Sequence, residues 1–432
     1  MGKDKTMTGL ICTFYDCRST IVLPLITLLL MCGTQINSDA KVLLGIDVLQ
    51  KNKYTELSGM RLLLFTNSTG RNSDGVITAE VLANDTSVNL KGILIPEHGF
   101  YSSIPAGAKI GDDNLFGKPV YSLYNDIKKP GSKLLSECDA IVVDIQDIGV
   151  RSYTYISSLF RIMQAAAENK KQVIILDRPN PLGADIVDGN VLEEGFESFV
   201  GTAPIAYIHG LTIGELALMF NEEGWLGNGY VNSLKCDLTI IRMENYKRNY
   251  VWEETGLMWY PTSPNVPTVN SARGLAMLGI FGELGFISIG IGTTTPFQLL
   301  GSPDFNYNQV MSNVDGKMLG GINLSEVRFN PIFGMYSGKT SKGMFLNFYK
   351  DDNFMPFSAG IELILALRKQ YPELFNPDKI KENSKNMFVK VTGTNDLFNA
   401  LFNRIPDDNI KLISRRGLDS FLELRAKYLI YD

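Results

Sequence analysis

The sequence predicts an α/β protein, with a mainly parallel sheet and helices packed on it, followed by a smaller α+β part. Three observations lead there. Short apolar runs alternate with amphipathic stretches over residues 41–255, the pattern of βα units. One run, Ala140-Ile141-Val142-Val143-Asp144, is almost wholly apolar, as a strand buried on both faces must be. Several runs end in an acidic residue beside turn formers, where open α/β sheets collect their chemistry.

Residues 1–40 read as an export leader. Lys3, Lys5 and Arg18 give a basic start, and the apolar run over residues 21–31 is too short to span a bilayer comfortably. Ser38 and Ala40 suit a signal peptidase. Leu29-Leu30-Met31-Cys32-Gly33 offers a second pattern, with Cys32 as a lipidated N-terminal residue, and an uncleaved anchor is a third. Each places the body outside the cytoplasm, in the periplasm or at the outer membrane. Membrane contact is then expected only through a lipid anchor at Cys32.

Composition narrows the function. The net charge of −5 comes with no basic patch, which sets nucleic-acid binding aside. Only two histidines occur, His98 and His209, so a multi-histidine metal cage is not expected, and no cofactor is. Cys138 and Cys236 are the cysteines of the body; they can pair, but their spacing matches no zinc or redox motif.

Taken in order, residues 61–66 form a strand that ends in Asn67-Ser68-Thr69-Gly70, and residues 76–84 a helix. The next strand, residues 90–96, delivers Glu97-His98-Gly99: a carboxyl and an imidazole side by side, then a glycine where the backbone turns sharply. The strand 140–144 runs into Ile145-Gln146-Asp147-Ile148-Gly149-Val150-Arg151-Ser152-Tyr153-Thr154-Tyr155, followed by a helix over 156–169. The strand 173–176 ends in Asp177-Arg178-Pro179-Asn180-Pro181. His209 precedes a helix over 212–222 that Thr212 and Glu215 open as a capping box. Residues 237–242 are a further strand. In a parallel sheet Glu97, Asp144 and Asp177 share one edge. Each alone reads as a cap or loop hydrogen-bonder; together, with Arg151, Arg178, Tyr153 and Tyr155 interleaved, they make a polar pocket. Neighbouring carboxyls favour a protonated acid beside an ionised partner.

The second part spans residues 256–432. Residues 259–267 are proline-rich and extended, a linker or cleft wall, whose Trp259-Tyr260 pair suits stacking on a sugar or base, or a packed corner. Gly290-Ile291-Gly292 lacks the lysine of a phosphate loop and the third glycine of a dinucleotide fingerprint, and reads as a tight loop near the cleft. Strands are expected over 327–333 and 343–349, and helices over 357–370 and 418–429. No Gly-x-Ser-x-Gly elbow or Cys-His arrangement supplies an ester or amide nucleophile.

Pro96-Glu97-His98-Gly99, the run from Asp144 to Tyr155 and Asp177-Arg178-Pro179-Asn180-Pro181 resemble the NamZ-type exo-β-N-acetylmuramidases. So do Val200-Gly201, His209-Gly210, Ser263-Pro264-Asn265-Val266-Pro267-Thr268 and Gly292-Thr293-Thr294-Thr295-Pro296-Phe297, in the same order. The resemblance implies a Rossmann-like domain over 41–255, an auxiliary domain over 256–432, and a cleft between them. It implies release of N-acetylmuramic acid from the non-reducing end of peptidoglycan fragments. The catalytic glutamate carries over onto Glu97. The accompanying polar positions carry over onto His98, Asp144, Gln146, Asp147, Arg151, Tyr153, Asp177, Arg178, Asn180, His209 and Asn265. Hydrolysis needs an acid, expected at Glu97, and a second group, expected at Asp144 or Asp147 or in the substrate's own acetamido group. Arg151 or Arg178 matches the lactyl carboxylate, and His98 orients Glu97 or a hydroxyl. The chain departs from the family at Tyr101, Ser103, Ala108 and Ile291, where charged residues are usual. A sugar-binding protein of the same fold that has lost catalysis is the alternative.

Overall fold

A computed structural model describes residues 41–108, 113–124, 127–227 and 234–432. The export leader, with Cys32, lies outside the described residues. The central sheet has seven strands: β1 (Arg61–Thr66), β2 (Asn89–Ile95), β3 (Asp113–Leu115), β4 (Lys118–Ser122), β5 (Ala140–Asp144), β6 (Gln172–Leu176) and, after the two-stranded ribbon of β7 (Asp188–Val191) and β8 (Ala206–Ile208), β9 (Asp237–Ile241). Their order is β3-β4-β2-β1-β5-β6-β9, parallel throughout except for the β3–β4 hairpin at one edge. The chain winds outward from β1 to β4, then returns to lay β5 against the other side of β1. The carboxyl ends of the parallel strands therefore share one edge, as expected.

The two-residue period of the strands feeds two cores. Leu63, Phe65, Ile141, Val143, Val173 and Ile175 face one, and Leu62, Leu64, Ala140, Val142, Ile174 and Leu176 face the other. This is why the central runs are nearly all apolar. The helices Thr154–Glu168 and Ile213–Glu222 pack on the first face. The latter opens on the expected capping box: Thr212 Oγ1 accepts from the Glu215 N–H at 3.2 Å, and Glu215 Oε2 accepts from the Thr212 N–H at 3.0 Å.

The C-terminal half does not build a core of its own. Phe281 on the helix Val269–Gly282, Leu346 on the antiparallel sheet of β10 (Leu299–Ser302), β11 (Ile322–Phe329) and β12 (Ser341–Phe348), and Phe357 on the helix Pro356–Gln370 all join the first core. Two buried polar ties reinforce the join. Asp188 accepts from the Ser358 N–H at 2.8 Å and the Ser358 hydroxyl at 2.6 Å, capping the helix Pro356–Gln370 from β7. The Arg151 guanidinium donates to the carbonyls of Asn190 and Ile205 at 2.7 and 2.8 Å and to those of Val391 and Thr392 at 3.2 and 2.8 Å.

Some local expectations shift. β11 ends at Phe329, because the chain turns at Pro331, whose ring supplies no ladder donor. Cys138 and Cys236 are both buried and free, so the pairing left open by their number does not form. Trp259 packs edge-on against Trp252 at 5.1 Å and Tyr260 lies under the Arg71 guanidinium at 4.3 Å, so this aromatic pair is a packed corner. Among the described residues no helix is long and apolar enough to cross a bilayer.

Candidate active site

β2 stops at Pro96, which has no N–H to extend the ladder. Two residues past the Ile95–Ser122 pair of β2 and β4 stand Glu97 and Tyr124, on adjacent parallel strands. Glu97 is only 7% exposed. Its Oε2 accepts from the Thr154 hydroxyl at 2.8 Å and its Oε1 from the Gly107 N–H at 3.3 Å. The Tyr124 phenol lies beside it; burial first, and then the Glu97 carboxylate, push that phenol far up. Thr154 is the first residue of a 15-residue helix, so the positive end of a helix dipole faces the Glu97 carboxyl.

The turn after Glu97 is tight. His98 and Gly99 have φ of 71° and 72°, and Ser102 has 53°. Left-handed backbone at two non-glycine residues is costly and is held here by the surrounding contacts. His98 Nδ1 donates to the Ile104 carbonyl at 2.7 Å, and the Ile104 N–H returns a bond to the His98 carbonyl at 3.2 Å. Because a carbonyl only accepts, the neutral ring carries its proton on Nδ1 and leaves Nε2 as an acceptor.

Glu97 and His98 open into a cleft of about 1030 Å³. Its walls come from both halves of the chain: Tyr124, Ser152, Tyr153 and Thr154 from the first, Asn265, Glu283, Ile291 and Phe297 from the second. The glycine loop 290–292 contributes through Ile291, which presents an apolar surface to the cleft. Tyr153 is pinned by its hydroxyl donating to Thr262 Oγ1 at 2.8 Å, and burial pushes its phenol up.

Of the residues expected in the pocket, Glu97, His98, Tyr153 and Asn265 line the cleft. The others are placed behind it. Asp144 is fully buried and held by Arg178, with Nε–Oδ1 at 2.5 Å and Nη2–Oδ2 at 3.0 Å, and it also accepts from the Thr78 hydroxyl. Asp177 accepts from the Thr212 hydroxyl, the Gly214 N–H and the Tyr431 hydroxyl at 2.8, 2.8 and 2.7 Å, an anion at the start of the helix Ile213–Glu222. Burial raises its carboxyl to about 6. Asn180 spends its amide on the Leu211 carbonyl and the Leu182 N–H, both at 3.1 Å. Gln146 donates to the carbonyls of Asp147 and Pro179, both at 2.8 Å. Asp147 Oδ2 accepts from the Gly149 N–H at 2.7 Å and lies 3.5 Å from His209 Nε2, and His209 Nδ1 accepts from the Leu211 N–H. Arg151 has its terminal nitrogens on carbonyls, and burial lowers it to about 10. Of the three acids that follow the parallel strands, Glu97 lines the cleft, while Asp144 is paired with Arg178 and Asp177 is taken up by the start of a helix.

The structure adds residues that the sequence did not single out. Tyr124 follows β4, a strand on the short edge hairpin. Among the described residues Lys128 and Lys390 are the lysines on the cleft wall, and Lys128 Nζ sits 4.5 Å from the Phe199 ring centre. Glu283 stands in the Phe281–Gly285 stretch just past a helix. Among the described residues no group of three His, Cys, Asp or Glu is placed to hold a metal ion.

Comparison with known proteins places the chain among relatives along nearly its whole described length. The family model described as "Exo-beta-N-acetylmuramidase NamZ, N-terminal" matches residues 62–270, and its C-terminal counterpart matches residues 275–431. The chain is 35% identical over 393 residues to the peptidoglycan β-N-acetylmuramidase NamZ of Bacillus subtilis, covering 90% of this chain and 92% of that one. It also superposes on the crystal structures of two DUF1343 family proteins from Bacteroides fragilis. Their TM-scores are 0.84 and 0.71 and their identities 34% and 30%, each over 91% of this chain and 99% of the other.

Proposed function

The chain belongs to the NamZ exo-β-N-acetylmuramidase family, and from that premise we propose that it releases N-acetylmuramic acid from the non-reducing end of peptidoglycan fragments. The observation that carries the reading is Glu97. A nearly buried carboxyl, fixed through both oxygens, ends a sheet strand at the wall of a cleft of about 1030 Å³, large enough for a disaccharide. Glycoside hydrolysis places its reacting carboxyls in such a cleft.

Asp144 is held by Arg178 and Asp147 is buried behind the cleft with Oδ2 on the Gly149 N–H, which favours Glu97 as the group that acts from this sheet edge. Tyr153, His98 and Asn265 offer hydrogen bonds to sugar hydroxyls and to the acetamido group. The lactyl carboxylate is met by Lys128 and Lys390, because Arg151 and Arg178 donate elsewhere. Peptidoglycan lies outside the cytoplasm, where the export signal expected over residues 1–40 would deliver the protein.

The test is release of product from a β-linked muramic acid disaccharide or a chromogenic muramide by the purified protein and by Glu97→Gln. Release by the wild type, lost in a folded variant, supports the reading. Sugar binding without release by the wild type replaces it with a binding protein.

A further inference from the structure

The cleft holds a second carboxyl whose surroundings are the reverse of those of Glu97. Glu283 immediately follows the helix Val269–Gly282 and lines the cleft from the C-terminal half, while Glu97 lines it from the sheet edge. Glu97 faces a helix N-terminus and accepts two hydrogen bonds. Glu283 sits at a helix C-terminus, where the free carbonyls carry partial negative charge and disfavour a carboxylate. Leu275 and Gly279, eight and four residues earlier, share its helix face and the cleft wall, and Ile289, Ile291 and Phe297 continue that wall as an apolar surface. The partly buried Glu283 carboxyl has no hydrogen bond or ion pair among the described residues.

We propose that Glu283 is the catalytic proton donor of this cleft and that Glu97 works opposite it as the carboxylate. The assignment rests on the glycosidase reading above. Two carboxyls held in contrasting surroundings, one hydrogen-bonded at a helix N-terminus and one against an apolar wall, divide acid and base work in this way. Burial raises the Glu283 carboxyl above the ordinary range, with the Tyr207 phenol as its titratable neighbour. The other charged groups on the wall are Glu197, Lys128 and Lys390. Glu197 is exposed and accepts from the Gly195 N–H at 3.0 Å, away from the apolar wall that surrounds Glu283.

The step balances as follows. The C1–O bond breaks with its electron pair going to the leaving oxygen, which takes the proton from Glu283. A water oxygen forms the new bond to C1 and gives a proton to Glu97. The net change is addition of one water, and exchange with solvent returns Glu283 to the acid and Glu97 to the carboxylate.

The experiment compares kcat/KM of the wild type, Glu283→Gln and Glu97→Gln on a muramic acid disaccharide and on the 2,4-dinitrophenyl muramide, whose leaving group needs no proton. Glu283→Gln is expected to lose about 10³-fold on the disaccharide and under about tenfold on the dinitrophenyl substrate. It should also lose the alkaline limb of the pH profile, and Glu283→Asp should recover part of the disaccharide rate. Glu97→Gln is expected to lose both substrates alike. The ratio between substrates is taken on one preparation, so partial unfolding cancels. Equal loss on both substrates by Glu283→Gln, or no loss, overturns the assignment while leaving the glycosidase reading in place. Absence of wild-type release from either substrate overturns both.

Discussion

The Thr154 hydroxyl donates to Glu97 Oε2 at 2.8 Å, so the opening residue of a helix fixes the carboxyl that ends a strand of the same sheet. The bond is worth about 1.5–3 kcal/mol if the carboxylate is charged. Thr154→Val is therefore expected to lower kcat by roughly 10- to 100-fold with a small change in KM, and Thr154→Ser to restore most of it. Steady-state kinetics on a chromogenic muramide decides this; equal kinetics of the two variants would separate Thr154 from Glu97.

Asp144 and Arg178 form a buried pair, and their expected phenotype is structural. Asp144→Asn strands a guanidinium in the interior and should cost about 3–5 kcal/mol in urea unfolding. A variant that keeps full stability and loses only substrate affinity would return the pair to the substrate.

Lys390 and Lys128 are predicted to read the acidic sugar. Lys390→Ala should raise KM for an aryl muramide several-fold, and more at low ionic strength, because an exposed charge is screened by salt. The KM of the matching N-acetylglucosaminide, which lacks the lactyl carboxylate, should stay unchanged in the same assay.

Asp177 gives a pH signature. Its folded carboxyl is raised to about 6 by burial, above the unfolded value of 3.8. The protonated form is thus favoured by folding, so its stabilisation is complete below about 3.8 and is lost as pH rises through about 6. The stability advantage of wild type over Asp177→Asn should shrink by up to about 3 kcal/mol between pH 4 and pH 7. Thermal melts across that range check it, and an advantage that grows with pH would reverse the sign.

The central strands and the Glu97 turn were legible because burial on both faces leaves an unbroken apolar run and because proline and glycine punctuate its end. The helix Ile213–Glu222 was legible from its capping box. Which acids face the cleft was not. Asp144 and Glu97 both end parallel strands, and only Arg178, 34 residues on from Asp144, separates a buried ion pair from an open carboxyl. Arg151 looks like a ligand in one dimension, yet its terminal nitrogens are on carbonyls up to 241 residues away. Tyr124 and Glu283 depend on strand register and on a helix end, neither of which a local pattern records.

Arg151 joins the two sides of the cleft at its base. The residues after it, Ser152 to Thr154, form one wall, and Val391, whose carbonyl it holds, forms part of the other. A hinge between these walls would have to break several charge-assisted bonds at once. The base of the cleft is accordingly a covalently distant but non-covalently welded seam, set when the chain folds.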